Sequence, residues 1–168
     1  MDQEENYKNL ESLSVDEQFH HLNINHNNIY QFVMLYYNYI LAKHDYGTGD
    51  LVTMIESHTI TYIEEHPNTT VSELSVFWNK SKGAVSQTVS RLEERGFISK
   101  SYADDNAKSV LLNVTENGKK LSQVHKLYDT IDIAKTLDDL LQKCSIDEIN
   151  SFFKVIKEYI VLLKRDFK

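Results

Sequence analysis

The chain has 168 residues, 41% of them hydrophobic and 26% charged, which suits one globular unit large enough for its own core. One proline and five glycines argue against a turn-rich β sandwich, and the single cysteine, Cys144, excludes an internal disulfide and any multi-cysteine zinc site. The net charge of −7 speaks against nucleic acid until its distribution is read: residues 1–79 hold twelve acids against two bases, 80–120 eight bases against five acids, and 121–168 eight of each. Phosphate binding follows local charge, so the basic block in mid-chain is the candidate footprint.

In chain order, residues 1–25 are polar and rich in His and Asn, and read as a frayed or short helical arm. The start, MDQEENYKN, is acidic and no secretory signal, so a cytoplasmic protein is expected. Over residues 29–41 the recurrence of Ile29, Phe32, Val33, Tyr36, Tyr37 and Ile40 predicts a helix. Its apolar run is interrupted at Asn38 and falls short of the ~18 residues of a membrane span. HDYGTGD reads as a loop whose glycines lack the context of a phosphate-cradling loop. A helix follows over about 53–65, ended by HPN. Thr70 and Glu73 make a capping box for a short helix to about Trp78, and Ser81 caps a further helix that stops at Gly96. Two strands, about 97–102 and 109–114, flank the turn ADDNAK. Thr115 caps a long helix, with a break expected before Ile133. Ser145 and Glu148 make the capping box of a last helix to about residue 164.

The helix opened by Ser81 has two unlike faces. At 100° per residue Val85, Val89 and Leu92 align, with Ala84 and Thr88 on their flank. Opposite lie Gly83, Ser86, Gln87 and Ser90, with Arg91 at the edge. Solvated helix faces favour long, good helix formers such as Lys and Glu; this face is low, uncharged and able both to donate and to accept hydrogen bonds. A short helix, a tight turn, a second helix and a β hairpin make a winged helix-turn-helix. The apolar stripe then holds the second helix on the core while its polar face enters a DNA major groove, where Ser and Gln read base edges or phosphates and Gly83 allows close approach. The candidate DNA-contacting residues are Ser81, Lys82, Gly83, Ser86, Gln87, Ser90 and Arg91, with Lys108 on the wing. The plainer alternatives are a solvated face, a surface lysine at Lys82, and arginines 91 and 95 paired with Glu94 and its neighbours.

The run TVSELSVFWNKSKGAVSQTVSRLEERGFISK followed by DDNAKSVLLNVTENGKK resembles the MarR family of bacterial transcription regulators over about residues 51–121. The resemblance implies a dimeric winged-helix protein, usually a repressor, often released from DNA by a small ligand or an oxidant. The wing departs from the family pattern: Asn106 stands at the Asp position, Ala107 at one basic position and Lys108 at the other. Lysine makes a point contact where arginine is favoured in narrow grooves, which shifts specificity toward the recognition helix. Zinc-sensing members resemble the chain at His58 and His125, although their histidine-rich run after the wing is missing. His125 and Asp129, one turn apart, can share a metal, and His44 could add a ligand. A buried or capping histidine is the commoner case, so no metal or other cofactor is assigned, and whether His58, His125 and Asp129 bind one stays open. Cys144 does not stand where the family's peroxide sensors carry theirs, and reads as a small apolar filler.

The expected fold is therefore mostly α, a winged helix-turn-helix with a two-stranded β wing and N- and C-terminal dimerisation helices. The domains divide as an arm and dimerisation helix over 1–50, the DNA-binding domain over 51–121 and C-terminal dimerisation helices over 122–168. The last helix is apolar on more than one side (Ile149, Phe152, Phe153, Ile156, Tyr159, Ile160 and Leu163, with Val155 and Leu162 elsewhere), which calls for cover from a second copy. Expected partners are double-stranded DNA, a second copy of the chain and a small-molecule effector, with no membrane; the aromatic helix with Tyr30, Phe32, Tyr36, Tyr37 and Tyr39 suits an effector pocket, and core or dimer packing explains it as well. No catalytic constellation is found in the sequence. The rival readings are a metal-sensing regulator and a helical protein–protein interaction module that keeps the fold without binding DNA.

Overall fold

The computed structural model describes residues 12–103 and 106–166, and its helices start where capping chemistry directs them. Helix α1 spans Val15–Leu41 and begins well before the expected Ile29. Ser14 and Glu17 form a reciprocal capping box, and the acids Asp16 and Glu17 lie in the first turn, where the helix dipole favours them. The His/Asn-rich stretch joins the helix because its side chains turn back on it: His20 Nδ1 and His26 Nδ1 each lie 2.8 Å from the carbonyl four residues earlier.

HDYGTGD is a hairpin and not a plain loop. Strands β1 (Lys43–Asp45) and β2 (Leu51–Thr53) pair antiparallel with His44 opposite Val52. The Asp45 carboxylate accepts from the amides of Gly47 and Gly49 at 2.8 and 3.0 Å, and both glycines take a positive φ.

Capping boxes at Thr53/Glu56 and Thr70/Glu73 open α2 (Met54–Glu65) and α3 (Val71–Phe77). Ser81 caps α4 (Lys82–Glu94) by accepting from the Ala84 amide, and Gly96 at φ 75° ends it. The wing pairs β3 (Ile98–Ala103) with β4 (Asn106–Val114), Ile98 opposite Val114. Its second strand starts three residues before the expected position. Asp104 and Asp105, in the expected turn, lie outside the described residues. Helix α5 (Glu116–Leu141) is unbroken across Ile133, since no Gly or Pro interrupts its hydrogen bonds there. Helix α6 (Ile146–Asp166) follows, and no helix among the described residues is long and apolar enough to cross a membrane.

The core sits inside the winged helix. Val52, Ile60, Ile63, Leu74, Leu112 and Leu121 are fully enclosed, and α4 contributes Val85, Val89 and Leu92 at 3, 1 and 0% exposure, the stripe read from the sequence. Outside it, α1 and α6 leave large apolar side chains exposed, among them Phe32, Leu35, Phe152, Phe153 and Leu163.

Gly118, buried in the first turn of α5, has no room for a side chain: a Cβ there would strike the Phe97 carbonyl. Gly118→Ala is therefore expected to destabilise the fold by about 1–3 kcal/mol in denaturant titration, the usual cost of overpacking. Gly83, with open space around it, should instead gain about 0.5–1 kcal/mol as alanine in a helix.

Candidate nucleic-acid interface and histidine cluster

The polar face of α4 is built from its buried face outward. With Val85, Val89 and Leu92 fixed in the core, Ser81, Lys82, Gly83, Ser86 and Gln87 are exposed and Ser90 is half-buried. The turn before α4 is tight: Asn79 is left-handed at φ 49°, and the Lys80 amide reaches back to the Ser75 carbonyl at 3.0 Å. The two arginines behave differently from the rest of the basic block. Arg95 donates to the Leu51 carbonyl at 3.1 Å, lies 3.7 Å from Glu56 and 3.9 Å from Asp50, and covers the Phe97 ring at 5.0 Å. Arg91 is more exposed, with Nε 3.8 Å from Glu56 and a hydrogen bond to Thr88. Glu56, not Glu94, is the acid they share, while Glu93 holds Lys100. Lys108 belongs to β4 by its backbone; its side chain lies outside the described residues.

A second constellation joins α2 to α5. His58 Nε2 and His125 Nε2 lie 3.4 and 3.3 Å from Asp129 Oδ2, and the two rings stand edge to face at 4.5 Å. One donor atom from each of the three falls within 4.8 Å of the others. His125 is 1% exposed, and its Nε2 is buried without a hydrogen-bond partner. Although Asp129 is near, the two atoms lack hydrogen-bond alignment. Its other nitrogen, Nδ1, is 3.3 Å from Thr61 Oγ1, which contacts Ser122 at 2.9 Å; Ser122 and Lys126 both donate to Glu64. With the proton on Nδ1 and directed at Thr61, the Nε2 lone pair faces a carboxylate, an arrangement that a cation between them would relieve. The residues fit a divalent metal that takes two imidazoles and a carboxylate. His44 is not one of the trio, and its buried Nε2 likewise has no partner among the described residues. Thr61, Ser122 and Glu64, which orient His125, were missed in the sequence, since polar residues on two distant helices carry no local signal of a shared network.

The MarR-family model matches residues 52–108, from β2 through the wing. Over those residues the chain is similar to the MarR family, and the fold there is a winged helix-turn-helix. A curated relative, the uncharacterized HTH-type transcriptional regulator YhjH of Bacillus subtilis (strain 168), is 30% identical over 84 residues. That match covers 50% of this chain and 48% of the relative, so it spans about half of the relative's length. Among solved structures, FabT of Streptococcus pneumoniae in complex with DNA superposes with a TM-score of 0.64 at 23% identity, over 89% of this chain and 99% of that one. ZitR of Lactococcus lactis, a zinc-responsive MarR family member, gives 0.59 at 20% identity, over 85% and 99%. At these identities both establish the fold, and the fold extends beyond the matched domain to the flanking helices. That domain contains all eight candidate DNA-contacting residues and His58, whereas His125 and Asp129 lie beyond it on α5.

Burial holds the His125 imidazole below the ordinary value of about 6.5, the neighbouring His58 and Lys126 act the same way, and Asp129 opposes them. The folded state thus binds fewer protons at this site than the unfolded chain. Its contribution to stability is present above pH ~6.5 and is lost as pH falls from there toward the folded value. In metal-free buffer the melting temperature should decline below that pH, and the decline should be shallower in His125→Gln.

Proposed function

We propose that the chain is a sequence-specific DNA-binding transcriptional repressor that acts as a homodimer on a palindromic operator. The observation that carries this reading is the low polar face of α4, with Gly83, Ser86 and Gln87 exposed on a helix whose other side is locked in the core. A helix held this rigidly can place side chains against base edges, and its N-terminal half is the part that enters the major groove. Lys82 and Lys108 serve phosphates, Ser81, Ser86, Gln87 and Ser90 serve bases or phosphates, and the exposed Arg91, 3.8 Å from the buried Glu56, can swing to the backbone of the duplex. Residues 51–121 form the DNA-binding unit. The flanks, 1–50 and 122–168, hold the dimer through the apolar faces of α1 and α6, which sets two recognition helices one helical turn of DNA apart. A small apolar effector has a place beside them: Phe32, Leu140, Ile149 and Phe152 line a pocket of about 310 Å³.

Replacing Gln87 by Ala is expected to weaken binding to the selected operator by about 1–3 kcal/mol and to leave random duplex binding unchanged. Gly83→Ala should do the same while raising the melting temperature, because the added methyl faces the DNA and nothing in the protein. Equal losses on both duplexes in gel-shift titrations would show that these residues do not read sequence.

A second reading is carried by the His58–His125–Asp129 trio: the regulator responds to a divalent transition metal. The zinc-responsive protein among the structural neighbours supports it. The chain's residues would supply two neutral imidazoles and one carboxylate, with Thr61 fixing the His125 tautomer. Asp129→Asn and His125→Ala should each weaken zinc binding by at least about tenfold in competition with a chromophoric chelator. Unchanged affinity would put any bound zinc elsewhere.

A further inference from the structure

We propose that Trp78 couples the histidine–aspartate trio to the turn that aims α4, so that a divalent metal at the trio and DNA at α4 change one another's affinity. The inference rests on the metal-responsive reading above and goes beyond it by naming the side chain that carries the effect.

Trp78 is the C-cap of α3, its amide donating to the Leu74 carbonyl at 2.9 Å. Asn79 follows in the left-handed region, Lys80 reaches back to Ser75, and Ser81 already caps α4. The direction in which α4 leaves α3 is decided within this short stretch. The indole pins the stretch to α2. Its Nε1 donates to Thr59 Oγ1 at 3.0 Å, and Thr59, 1% exposed, donates onward to the Ile55 carbonyl at 2.6 Å. The residue beside Thr59 is His58, and the indole stands edge to face with that imidazole at 6.4 Å and 74°. The same imidazole also meets His125 edge to face at 4.5 Å. One side chain therefore touches the half-exposed ligand of the trio and forms the start of the helix-turn-helix turn.

A metal held between His58, His125 and Asp129 would confine a half-exposed ring that is otherwise held by an ion-pair contact of 3.4 Å and by edge-to-face contacts with Trp78 and His125. Confining it alters the surface on which the indole rests, and the Thr59 bond passes the change into the turn backbone. By linkage, the reverse effect has the same size: DNA that fixes the angle of α4 alters metal affinity. The direct tie between α4 and the start of α2, from Arg91 and Arg95 to Glu56, is not part of this route and stays intact when the indole is changed.

The test uses the full chain, zinc(II), and a duplex selected by the wild-type protein from a random pool. For the wild type, the ratio of DNA Kd in zinc to that in EDTA should differ from one by at least about fivefold. Trp78→Phe keeps an aromatic ring and removes the N–H; Thr59→Val keeps the volume and removes the acceptor. Both should bring the ratio to within about twofold of one, with zinc affinity by chelator competition close to wild type. Trp78 is the only tryptophan, so wild-type emission should change on zinc addition and recover with EDTA, and the change should shrink in Thr59→Val. Wild-type ratios in both variants overturn the proposal, as does unaltered emission with zinc shown to be bound. Should Trp78→Phe fail to fold, Thr59→Val and the wild-type emission still decide. Zinc that binds without changing DNA affinity sinks the coupling alone; a chain that binds no zinc sinks the metal-responsive reading and the coupling with it.

Discussion

Thr115 is the joint on which the winged helix turns. Its hydroxyl donates to the Gly96 carbonyl at 2.6 Å and accepts from the Gly118 amide at 3.1 Å, while its own amide donates to the Phe97 carbonyl at 3.0 Å. Three bonds at one residue tie the end of α4, the base of the wing and the start of α5. The approach is close enough that Gly118 can carry no side chain. A second brace acts from the other side of the wing, where the Leu112 amide donates to the Thr69 carbonyl at 2.7 Å just ahead of α3. The wing and both helices of the helix-turn-helix thus share anchors, so the polar face of α4 and the wing strands move as one body. A surface that discriminates bases needs that rigidity, because a hydrogen bond loses most of its strength within about half an ångström of displacement or a few tens of degrees of misalignment.

Charge is arranged around the same joint. The acids crowd into the first part of the chain, and Glu56 and Asp50 reach the C-terminal end of α4 to hold Arg95. Arg95 contributes structure and little external field, lying against Phe97 and bonded to the β2 backbone. The cations left to face outward near the turn and the start of α4 are Lys80 and Lys82, both exposed. An acidic protein of net charge −7 can in this way present a locally positive edge.

The winged helix was legible in the sequence because each of its signals is local. Thr70, Ser81 and Thr115 are caps followed at fixed spacing by the residues they bond, and Val85, Val89 and Leu92 report their burial by period alone. The pairing of His58 with His125 and Asp129 was legible only as a list of candidate ligands, since what joins α2 to α5 is tertiary packing. The misreadings have a common cause. Residues 15–28 have a polar composition that suggests an arm, yet Ser14 and Glu17 supply the same capping box recognised elsewhere, and imidazoles turned back on the backbone stand in for absent helix formers. At HDYGTGD the two glycines suggested a loop, while Asp45 uses their amides to close a hairpin. The break expected in α5 before Ile133 is absent, because no Gly or Pro there interrupts the backbone hydrogen bonds.

That hairpin bears on how assembly and DNA reading fit together in the proposed regulator. β1 follows α1 after a single residue, Ala42, and β2 runs directly into α2 through the Thr53 cap, so the flanking helix is joined to the core by a short, braced connection. Tyr39 near the end of α1 packs its ring at a tilt against His44 at 5.4 Å and donates to Asp132 on α5 at 3.4 Å, which fixes the angle of departure. Beyond that point α1 is a helix of 27 residues, roughly 40 Å long, with Phe32, Val33, Met34 and Leu35 exposed. A helix of such length holds together chiefly by packing one of its faces. In the proposed dimer the second copy supplies that packing, and the rigid departure angle passes the geometry of the interface to α4. The spacing of the two recognition helices is then set by the same contacts that stabilise α1 and α6. An effector that wedges apart Phe32 and Phe152, whose rings meet edge to face at 6.4 Å, would change that spacing without touching the DNA-facing surface.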